Sequence, residues 1–428
     1  MKLIHRLSKL SARSKFPAEV WQREDGLTLI HQYIPTTPVV VADVWVKAGT
    51  IVEPDDWNGM AHFLEHMIFK GTDRLSPGAF DLAIETRGGM TNAATSHDYA
   101  HFFIATAVEH FPQTLPHLAE LLLNASIPDE EFDRERSVVL EEILYSQDSP
   151  DNLAFEALIE TLYQCHPYRR PILGTAEILK NRSPQEMRCF HRAHYRPENM
   201  TVVVVGGIEQ SPAVELVDRC FGTFAEPLEC QKVTASPELP LDGIRRREIR
   251  LPRLELARLN LGWIGPGVEC LEDAYALDLL SVVVAGGRSA RLVRELREER
   301  QFVQWIDSQF SLQRDSSLFT ISAAMMPEFL PVVEQILGDR LHQLHVTPVS
   351  QVELDRAKRQ LCNDFTFSTE TPAQLAGLYG YYQTLTDRAD LGSCYGSQIQ
   401  QLTAEDLKRV ARQYLCRDRY AVTIAYEE

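Results

Sequence analysis

The chain has 428 residues, of which 44% are hydrophobic and 24% are charged, with 22 glycines and 23 prolines. This length exceeds what one hydrophobic core ordinarily supports, and the composition excludes collagen-like, intrinsically disordered and disulfide-scaffold proteins. The 43 basic and 60 acidic side chains leave a net charge of −17, which disfavours nucleic acid and anionic lipid as partners.

Signals for secretion, membrane insertion and disulfide formation are absent from the sequence. Basic side chains interrupt the first 16 residues, so no apolar signal-peptide region forms, and no other run reaches the roughly 18 apolar residues of a membrane span. The eight cysteines include no C-x-x-C pair, and we expect reduced, mostly buried thiols. These features predict a cytoplasmic protein, with organelle targeting by the basic start as the alternative.

The predicted elements of the first half occur in blocks. Hydrophobic patterns predict a strand over Val39–Lys47, a helix over Trp57–Lys70 and an edge strand over Gly89–Ala107. Two helices follow at Pro112–Asn124 and Asp129–Gln147, and a capped helix and a buried strand close the half. Blocks of this kind favour an α+β fold with mostly antiparallel sheets over a doubly wound fold.

An internal repeat organises the chain. The closing helix and strand, Ser183–Tyr195 and Asn199–Gly206, match Thr403–Tyr414 and Arg419–Ala425 at a separation of about 220 residues. Each copy reads as a capped amphipathic helix followed by a buried strand. The repeat predicts two related, pseudo-symmetric halves.

The predicted halves are residues 1–225 and 251–428, joined by a linker at 226–250. The linker contains prolines and few apolar runs, which is typical of an exposed connection. Its basic residues are interpreted as a solvated charge run, with a docking patch as the alternative.

The helix predicted over Trp57–Lys70 contains an H-x-x-E-H motif formed by His62, Glu65 and His66. With 3.6 residues per turn, these side chains lie at roughly 0°, −60° and +40°, within an arc of about 100°. Two neutral imidazoles can therefore bind one zinc ion, and the carboxylate between them can accept a proton from water. The alternative is a pair of buried histidines on an amphipathic helix.

A catalytic zinc usually has three protein ligands, and the helix over Asp129–Gln147 offers carboxylates for the third. Glu135 and Glu142 are seven residues apart, so they lie within about 20° of each other beside the apolar stripe of this helix. One can bind the metal while the other supports it, although solvation is the ordinary role of a glutamate on an acidic helix.

Four segments follow one another in an order typical of a known peptidase family. They are His62–Thr72, Gly88–Thr95, Glu135–Ile143, and His166–Tyr168 with Gly174–Thr175. The chain resembles the inverzincin (pitrilysin-type) zinc metallopeptidases over nearly its whole length, most closely the processing-peptidase branch that includes mitochondrial processing peptidase and its bacterial relatives. The resemblance implies α+β halves, a zinc endopeptidase that hydrolyses extended peptides, and paired chains that enclose a chamber.

The resemblance also implies roles for single residues. Glu142 is then the third ligand of one Zn²⁺ per chain, with Glu141 as the competing ligand. Glu135 is the supporting carboxylate, and Glu65 is the general base.

Substrate binding is implied at the edge strand. An extended peptide is expected to pair there as an added strand near Asn92 and Ala93. Asn92 could instead be a turn residue at the entrance of a strand.

The second half lacks the metal-binding set. When Gly71 is aligned with Gly286, Leu277, Leu280 and Ser281 stand where the motif has its two histidines and its glutamate. This half is therefore expected to act as scaffold and chamber wall.

In many relatives the second half supplies an arginine and a tyrosine, seven residues apart, that stabilise the oxyanion. Here Arg297 is kept, while Gln301 and Gln304 occupy the glycine and tyrosine positions, and Trp305 is interpreted as a packing residue. We therefore predict a heterodimer in which a homologous subunit supplies the Arg/Tyr pair, with a homodimer that uses Arg297 alone as the alternative. A non-catalytic scaffold subunit is the competing function.

Overall fold

The computed structural model describes residues 2–3, 16–231, 233–252 and 254–428, and the chain divides into two compact units. The units are assembled from separate stretches of sequence. The first consists of Met1–Ile143, Pro171–Ala235 and Ser368–Cys394, and the second of Leu144–Arg170, Ser236–Phe367 and Tyr395–Glu428. Most of the basic start, on which the targeting alternative rests, lies outside the described residues.

Strands and helices occur in blocks along both halves. In chain order the strands are β1 (Lys2–Leu3), β2 (Glu19–Gln22), β3 (Thr28–Tyr33), β4 (Val39–Val46), β5 (Met90–Thr95), β6 (Ala100–Ala107), β7 (Met200–Gly206), β8 (Ile244–Leu251), β9 (Ala257–Gly265), β10 (Trp305–Leu312), β11 (Ser317–Met325) and β12 (Tyr420–Glu427). The helices are α1 (Met60–Ile68), α2 (Ala79–Glu85), α3 (Phe111–Asn124), α4 (Asp129–Gln147), α5 (Pro150–Leu162), α6 (Ala176–Lys180), α7 (Pro184–His194), α8 (Gln210–Cys220), α9 (Leu271–Ala285), α10 (Leu330–Val346), α11 (Gln351–Phe367), α12 (Pro372–Thr386), α13 (Asp390–Gln401) and α14 (Ala404–Tyr414).

Each unit is built on one sheet. The strand order is β1-β2-β3-β7-β4-β6-β5 in the first unit and β10-β11-β9-β12-β8 in the second. Starting from β3 and from β8, both sheets show one parallel pairing followed by three antiparallel pairings. The predicted α+β fold, with two pseudo-symmetric, mostly antiparallel sheets, is confirmed.

The helix and strand that close each half also match. α7 begins at a capping box of Ser183 and Glu186, and α14 begins at one of Thr403 and Asp406. In each box the hydroxyl accepts a backbone N–H of the first turn, while the carboxylate accepts the N–H of the cap residue. Both helices therefore start where the local sequence satisfies their free N–H groups.

Two predicted elements differ from the structure. The helix predicted over Trp57–Lys70 is shortened to α1, because Gly59 has a left-handed φ of 93° and Asp55–Trp57 forms a separate 3₁₀ turn. The edge strand predicted over Gly89–Ala107 is a hairpin, because the chain turns at residues 96–99. Only β5 lies at the edge of the sheet, and β6 lies inside it.

The predicted linker contains a strand. From Ile244 onward its residues form β8, which pairs in parallel with β12. Two of its basic residues form ion pairs, Arg246 with Glu334 at 2.7 Å and Arg247 with Glu160 at 2.6 Å. These arginines are therefore part of the second unit's surface, where both side chains remain exposed, and their interpretation as a solvated charge run stays a prediction.

The cysteines and the helices bear on the compartment predictions. All eight cysteines are free thiols, but Cys165 is exposed and the other seven are only half-buried, so the expectation of mostly buried thiols is wrong. No helix in the described part of the chain is both long enough and apolar enough to cross a membrane.

Each sheet is covered by a helix from the other half of the sequence. In the first unit α12 packs across β4 and β7, and a Cβ on Gly380 would lie only 2.0 Å from the indole nitrogen of Trp45. In the second unit α5 packs across β8, β9 and β12. The two halves therefore exchange helices, and the division at residues 226–250 stays a prediction about the sequence repeat.

We expect a fragment of residues 1–225 to be unstable, because it lacks α12. The sheet face under α12 contains buried Val41, Trp45 and Val203, and exposing apolar surface costs about 25 cal/mol per Å². Circular dichroism should show a lower melting temperature for the fragment than for the full chain, and co-expression with residues 226–428 should restore the native value. A fragment that melts cooperatively at the temperature of the full chain would contradict this prediction.

Candidate metal centre

α1 begins at a buried carboxylate that the sequence analysis did not identify. Glu53 accepts hydrogen bonds from the backbone N–H groups of Gly59 at 3.1 Å and Ala61 at 2.7 Å, and from the side-chain amide of Asn58 at 3.2 Å. A carboxylate at this position satisfies N–H groups that a helix start leaves unpaired, and it interacts favourably with the helix dipole. Gly174 packs against the same turn, where a Cβ would lie 2.4 Å from the carbonyl oxygen of Asn58. The start of α1 is thus fixed by contacts from outside the helix.

We expect Glu53→Ala to lower the free energy of unfolding by about 2–4 kcal/mol, because it leaves buried N–H groups without an acceptor. Urea denaturation of the metal-free protein measures the change. Asp56→Ala, at an exposed position in the preceding turn, is the matched control and should change the value by less than about 0.5 kcal/mol. Equal effects of the two substitutions would argue against the capping role.

Three candidate ligands from α1 and α4 meet at one point. His62 and His66 lie one turn apart on α1, with ring centroids separated by 4.8 Å. Their Nε2 atoms lie 3.7 Å and 3.5 Å from the same carboxylate oxygen, Oε2 of Glu142 on α4. The side chain of Glu141 is exposed and does not belong to this group.

This donor set fits a zinc ion. Two donors at bond lengths of about 2.1 Å in a tetrahedral site are roughly 3.4 Å apart, close to the observed separations from Glu142 Oε2. Burial, together with the neighbouring His66 ring, lowers the pKa of His62 to about 4, so this imidazole stays neutral at pH 7. Three protein ligands also leave a fourth position free for water or substrate.

Glu135 contacts the outer nitrogen of one ligand. Its Oε1 lies 2.9 Å from Nδ1 of His66, and its Oε2 lies 2.6 Å from Nζ of Lys70. Because an ionised carboxylate can only accept hydrogen bonds, we assign the His66 proton to Nδ1 and the lone pair to Nε2, which faces Glu142. Glu135 is therefore placed to orient the ring of His66.

Glu65 is held by a residue of the edge strand. Thr95 of β5 donates a hydrogen bond from Oγ1 to Oε2 of Glu65 at 2.6 Å. Burial raises the pKa of the Glu65 carboxyl above its ordinary value, and the Thr95 hydrogen bond opposes that shift. A raised pKa makes a carboxylate a stronger base near neutral pH. Thr95 is the last residue of the segment Gly88–Thr95, but its separation of 30 residues from Glu65 did not predict this hydrogen bond.

Asn92 and Ala93 lie in the middle of β5, where they pair with Phe103 and Phe102 of β6. Asn92 is exposed and lies inside a strand, so its interpretation as a turn residue is wrong. Ala93 is half-buried and packs against the core. The outer edge of β5 pairs with no strand in the described part of the sheet, so it can accept an extended peptide.

In the second unit the positions aligned with the motif contain no ligands. Leu277, Leu280 and Ser281 are all buried in α9. Within the described ranges, the group formed by His62, His66 and Glu142 is the candidate metal cluster of this chain.

Arg297 lies in the second unit, in a π-helical turn over Val293–Glu299. Its guanidinium donates hydrogen bonds to Glu298 at 2.9 Å and 2.7 Å. Gln301, which stands at the position of a family glycine, has a left-handed φ of 57°, a conformation that glycine adopts without strain. The role of Arg297 in substrate binding stays a prediction.

Comparison with known families identifies both parts of the chain. Residues 28–176 match the insulinase family, peptidase family M16, and residues 182–361 match a family model described as the peptidase M16 inactive domain. The second description agrees with the missing ligands in α9.

Individual relatives cover nearly the whole chain. Zinc protease PqqE of Helicobacter pylori is 30% identical over 393 residues, which are 91% of this chain and 87% of the relative. YmxG of Bacillus subtilis, described as an uncharacterized zinc protease, is 28% identical and covers 94% of this chain and 96% of its own length. The crystal structure of a protease from Helicobacter pylori has a TM-score of 0.89 at 28% identity and covers 96% of this chain and 100% of its own. A structure described as the peptidase M16 inactive domain from Pseudomonas fluorescens, with a TM-score of 0.87 at 21% identity over 96% and 98% of the two chains, supports the fold alone.

Proposed function

Because the chain belongs to the M16 family of peptidases, we propose that it is a zinc-dependent endopeptidase that hydrolyses extended peptides. The convergence of His62, His66 and Glu142 on one point is the observation on which this proposal depends. The names of the relatives as zinc proteases support the same activity. Within the family we assign the chain to the processing-peptidase type, whose paired chains enclose a chamber.

The residues around the centre divide the catalytic work. Zinc held by His62, His66 and Glu142 would lower the pKa of a water molecule to about 7 and polarise the scissile carbonyl. Glu65 accepts the proton of that water and delivers it to the leaving nitrogen. The hydroxyl of Thr95 holds Oε2 of Glu65, and we therefore assign the proton transfer to Oε1.

The edge strand β5 positions the substrate in this proposal. A peptide added beside Asn92 and Ala93 would pair through its backbone, which requires an extended conformation and tolerates many side chains. Thr95 at the end of β5 contacts Glu65, so the strand and the base are linked by a direct hydrogen bond. A peptide paired with β5 would therefore pass close to the metal centre.

Zinc content and peptide hydrolysis by the purified chain test the proposal. We expect one zinc per chain, hydrolysis of an unstructured quenched-fluorescence peptide, loss of hydrolysis after zinc is removed by a chelator, and recovery when zinc is returned. Stoichiometric zinc without hydrolysis, with every candidate partner present, would favour a non-catalytic scaffold subunit.

We also propose that the chain is the zinc-bearing subunit of a heterodimer. Arg297 is present, but Gln304 stands at the tyrosine position of the oxyanion pair and has no ionisable hydroxyl. A homologous subunit would supply the complete pair. Addition of a candidate homologue should raise the rate of hydrolysis, whereas full activity of the isolated chain would contradict the heterodimer and favour a homodimer or a monomer.

A further inference from the structure

We propose that Lys70 is a positioning residue of the metal centre, which holds the His66 ring in its metal-binding orientation through Glu135. This inference depends on the proposed zinc site. Nζ of Lys70 lies 2.6 Å from one oxygen of Glu135, and Nδ1 of His66 lies 2.9 Å from the other. Each oxygen of the carboxylate thus has its own donor, and rotation of the carboxylate would break both contacts.

The backbone places Lys70 one helical turn beyond His66. Although α1 ends at Ile68, the backbone N–H of Lys70 still donates to the carbonyl oxygen of Met67 at 3.1 Å. The two side chains are therefore at positions i and i+4, which face the same side of a helix. The side chains of His66 and Lys70 therefore both contact Glu135 on α4.

The turn after Lys70 is attached to the segment that leads into α4. Gly71 has a left-handed φ of 100°, and a Cβ there would lie 2.4 Å from the carbonyl oxygen of Leu75. The carbonyl oxygen of Gly71 accepts hydrogen bonds from the backbone N–H and from the hydroxyl of Ser126, both at 3.2 Å. Ser126 precedes α4 by only three residues. The backbones that present Lys70 and Glu135 are thus held close to each other.

Burial makes the ammonium group necessary for a fixed carboxylate. The side chain of Glu135 is only 10% exposed, so water has little access to its oxygens. Without Lys70, the carboxylate of Glu135 would keep the hydrogen bond with His66 on one oxygen, but its other oxygen would lose the ion pair. The carboxylate could then rotate towards solvent. His66 would then lose the contact that fixes its ring, and groups that orient metal ligands in this way typically contribute 10–100-fold in metal affinity.

Zinc affinity of Lys70→Met, measured by competition with a chromophoric chelator, tests the proposal. Methionine keeps an unbranched side chain of similar length and removes only the ammonium group. We expect an increase of about 10–100-fold in the Kd for zinc and a shifted visible spectrum after Co²⁺ substitution. Lys70→Arg should restore most of the affinity. Lys47→Met, which removes a lysine paired with Asp387 in the same unit, is the matched control and should leave affinity and spectrum unchanged.

A second variant separates positioning from a general effect on folding. In a Glu135→Gln background, Lys70→Met should cause little further loss of zinc affinity, because the carboxylate through which Lys70 acts is already gone. A loss of equal size in both backgrounds would overturn the proposal. So would an unchanged Kd and Co²⁺ spectrum in Lys70→Met, even if the metal-free variant melted at a lower temperature. A wild-type chain that bound no zinc would overturn the proposed function as well, which distinguishes the two failures.

Discussion

Glu65→Gln is expected to lower kcat/KM for peptide hydrolysis by about 10²–10⁴-fold, which is the typical contribution of a general base. Glutamine has nearly the same shape, and its carbonyl oxygen can still accept the hydrogen bond of Thr95, but its amide cannot take a proton from water. The loss should appear in kcat, because Glu65 acts in the chemical step and is not one of the residues to which metal binding or backbone pairing with the substrate is assigned. Initial rates with a quenched-fluorescence peptide measure the effect.

Zinc content is the control for this variant. Glu65 is not one of the three residues whose ligand atoms converge, so Glu65→Gln should retain one zinc per chain and the melting temperature of the wild type. Thr95→Ser, which keeps the hydroxyl that binds Glu65, should retain most of the activity. Wild-type hydrolysis by Glu65→Gln would show that a different group is the base.

Replacement of Glu142 is expected to weaken zinc binding by at least about 100-fold, above the range for residues that only orient ligands. Glu142→Gln removes the charged oxygen that lies 3.5 Å and 3.7 Å from the two histidine Nε2 atoms. Peptide hydrolysis should fall with the zinc content. His66→Ala is expected to have the same effect, because it removes one of the two nitrogens.

The neighbouring residue provides a matched control for Glu142. Glu141→Gln makes the same chemical change one position earlier on α4, at an exposed side chain outside the ligand group. We expect wild-type zinc affinity and activity for this variant. If Glu141→Gln lost zinc while Glu142→Gln retained it, the competing ligand would be correct and the arrangement of α4 would have to be revised.

The family and the fold were accessible from sequence because their signals are local or repeated. The order of the motifs from His62 to Thr175 indicated a pitrilysin-type peptidase, and the family match confirms this membership. The capping boxes at Ser183 and Thr403 place helix starts within four residues of chain, and the strands that follow recur in both sheets. Features of this kind need no information about distant contacts.

Boundaries and several contacts were missed because they depend on residues far apart in sequence. α1 is shorter than its hydrophobic pattern because Glu53 and Gly59 define its start. The hairpin of β5 and β6 and the exchange of α5 and α12 between the halves follow from sheet pairing and packing, which a single segment does not reveal. Thr95 and Lys70 have ordinary spacings, and their roles became visible only through their hydrogen bonds with Glu65 and Glu135.

The amino-acid sequence by itself determined that His62, Glu65 and His66 share one side of a helix, because helical periodicity fixes the directions of residues three and four positions apart. From the residues alone it left open whether Glu135 or Glu142 of α4 meets the two histidines, and the family resemblance implied Glu142 with Glu141 as the competing ligand. Only the packing of α1 against its surroundings and the path of the chain into α4 decided that Glu142 faces both Nε2 atoms while Glu135 lies behind His66. A contact across 76 residues depends on the folded backbone, and periodicity along one helix cannot encode it.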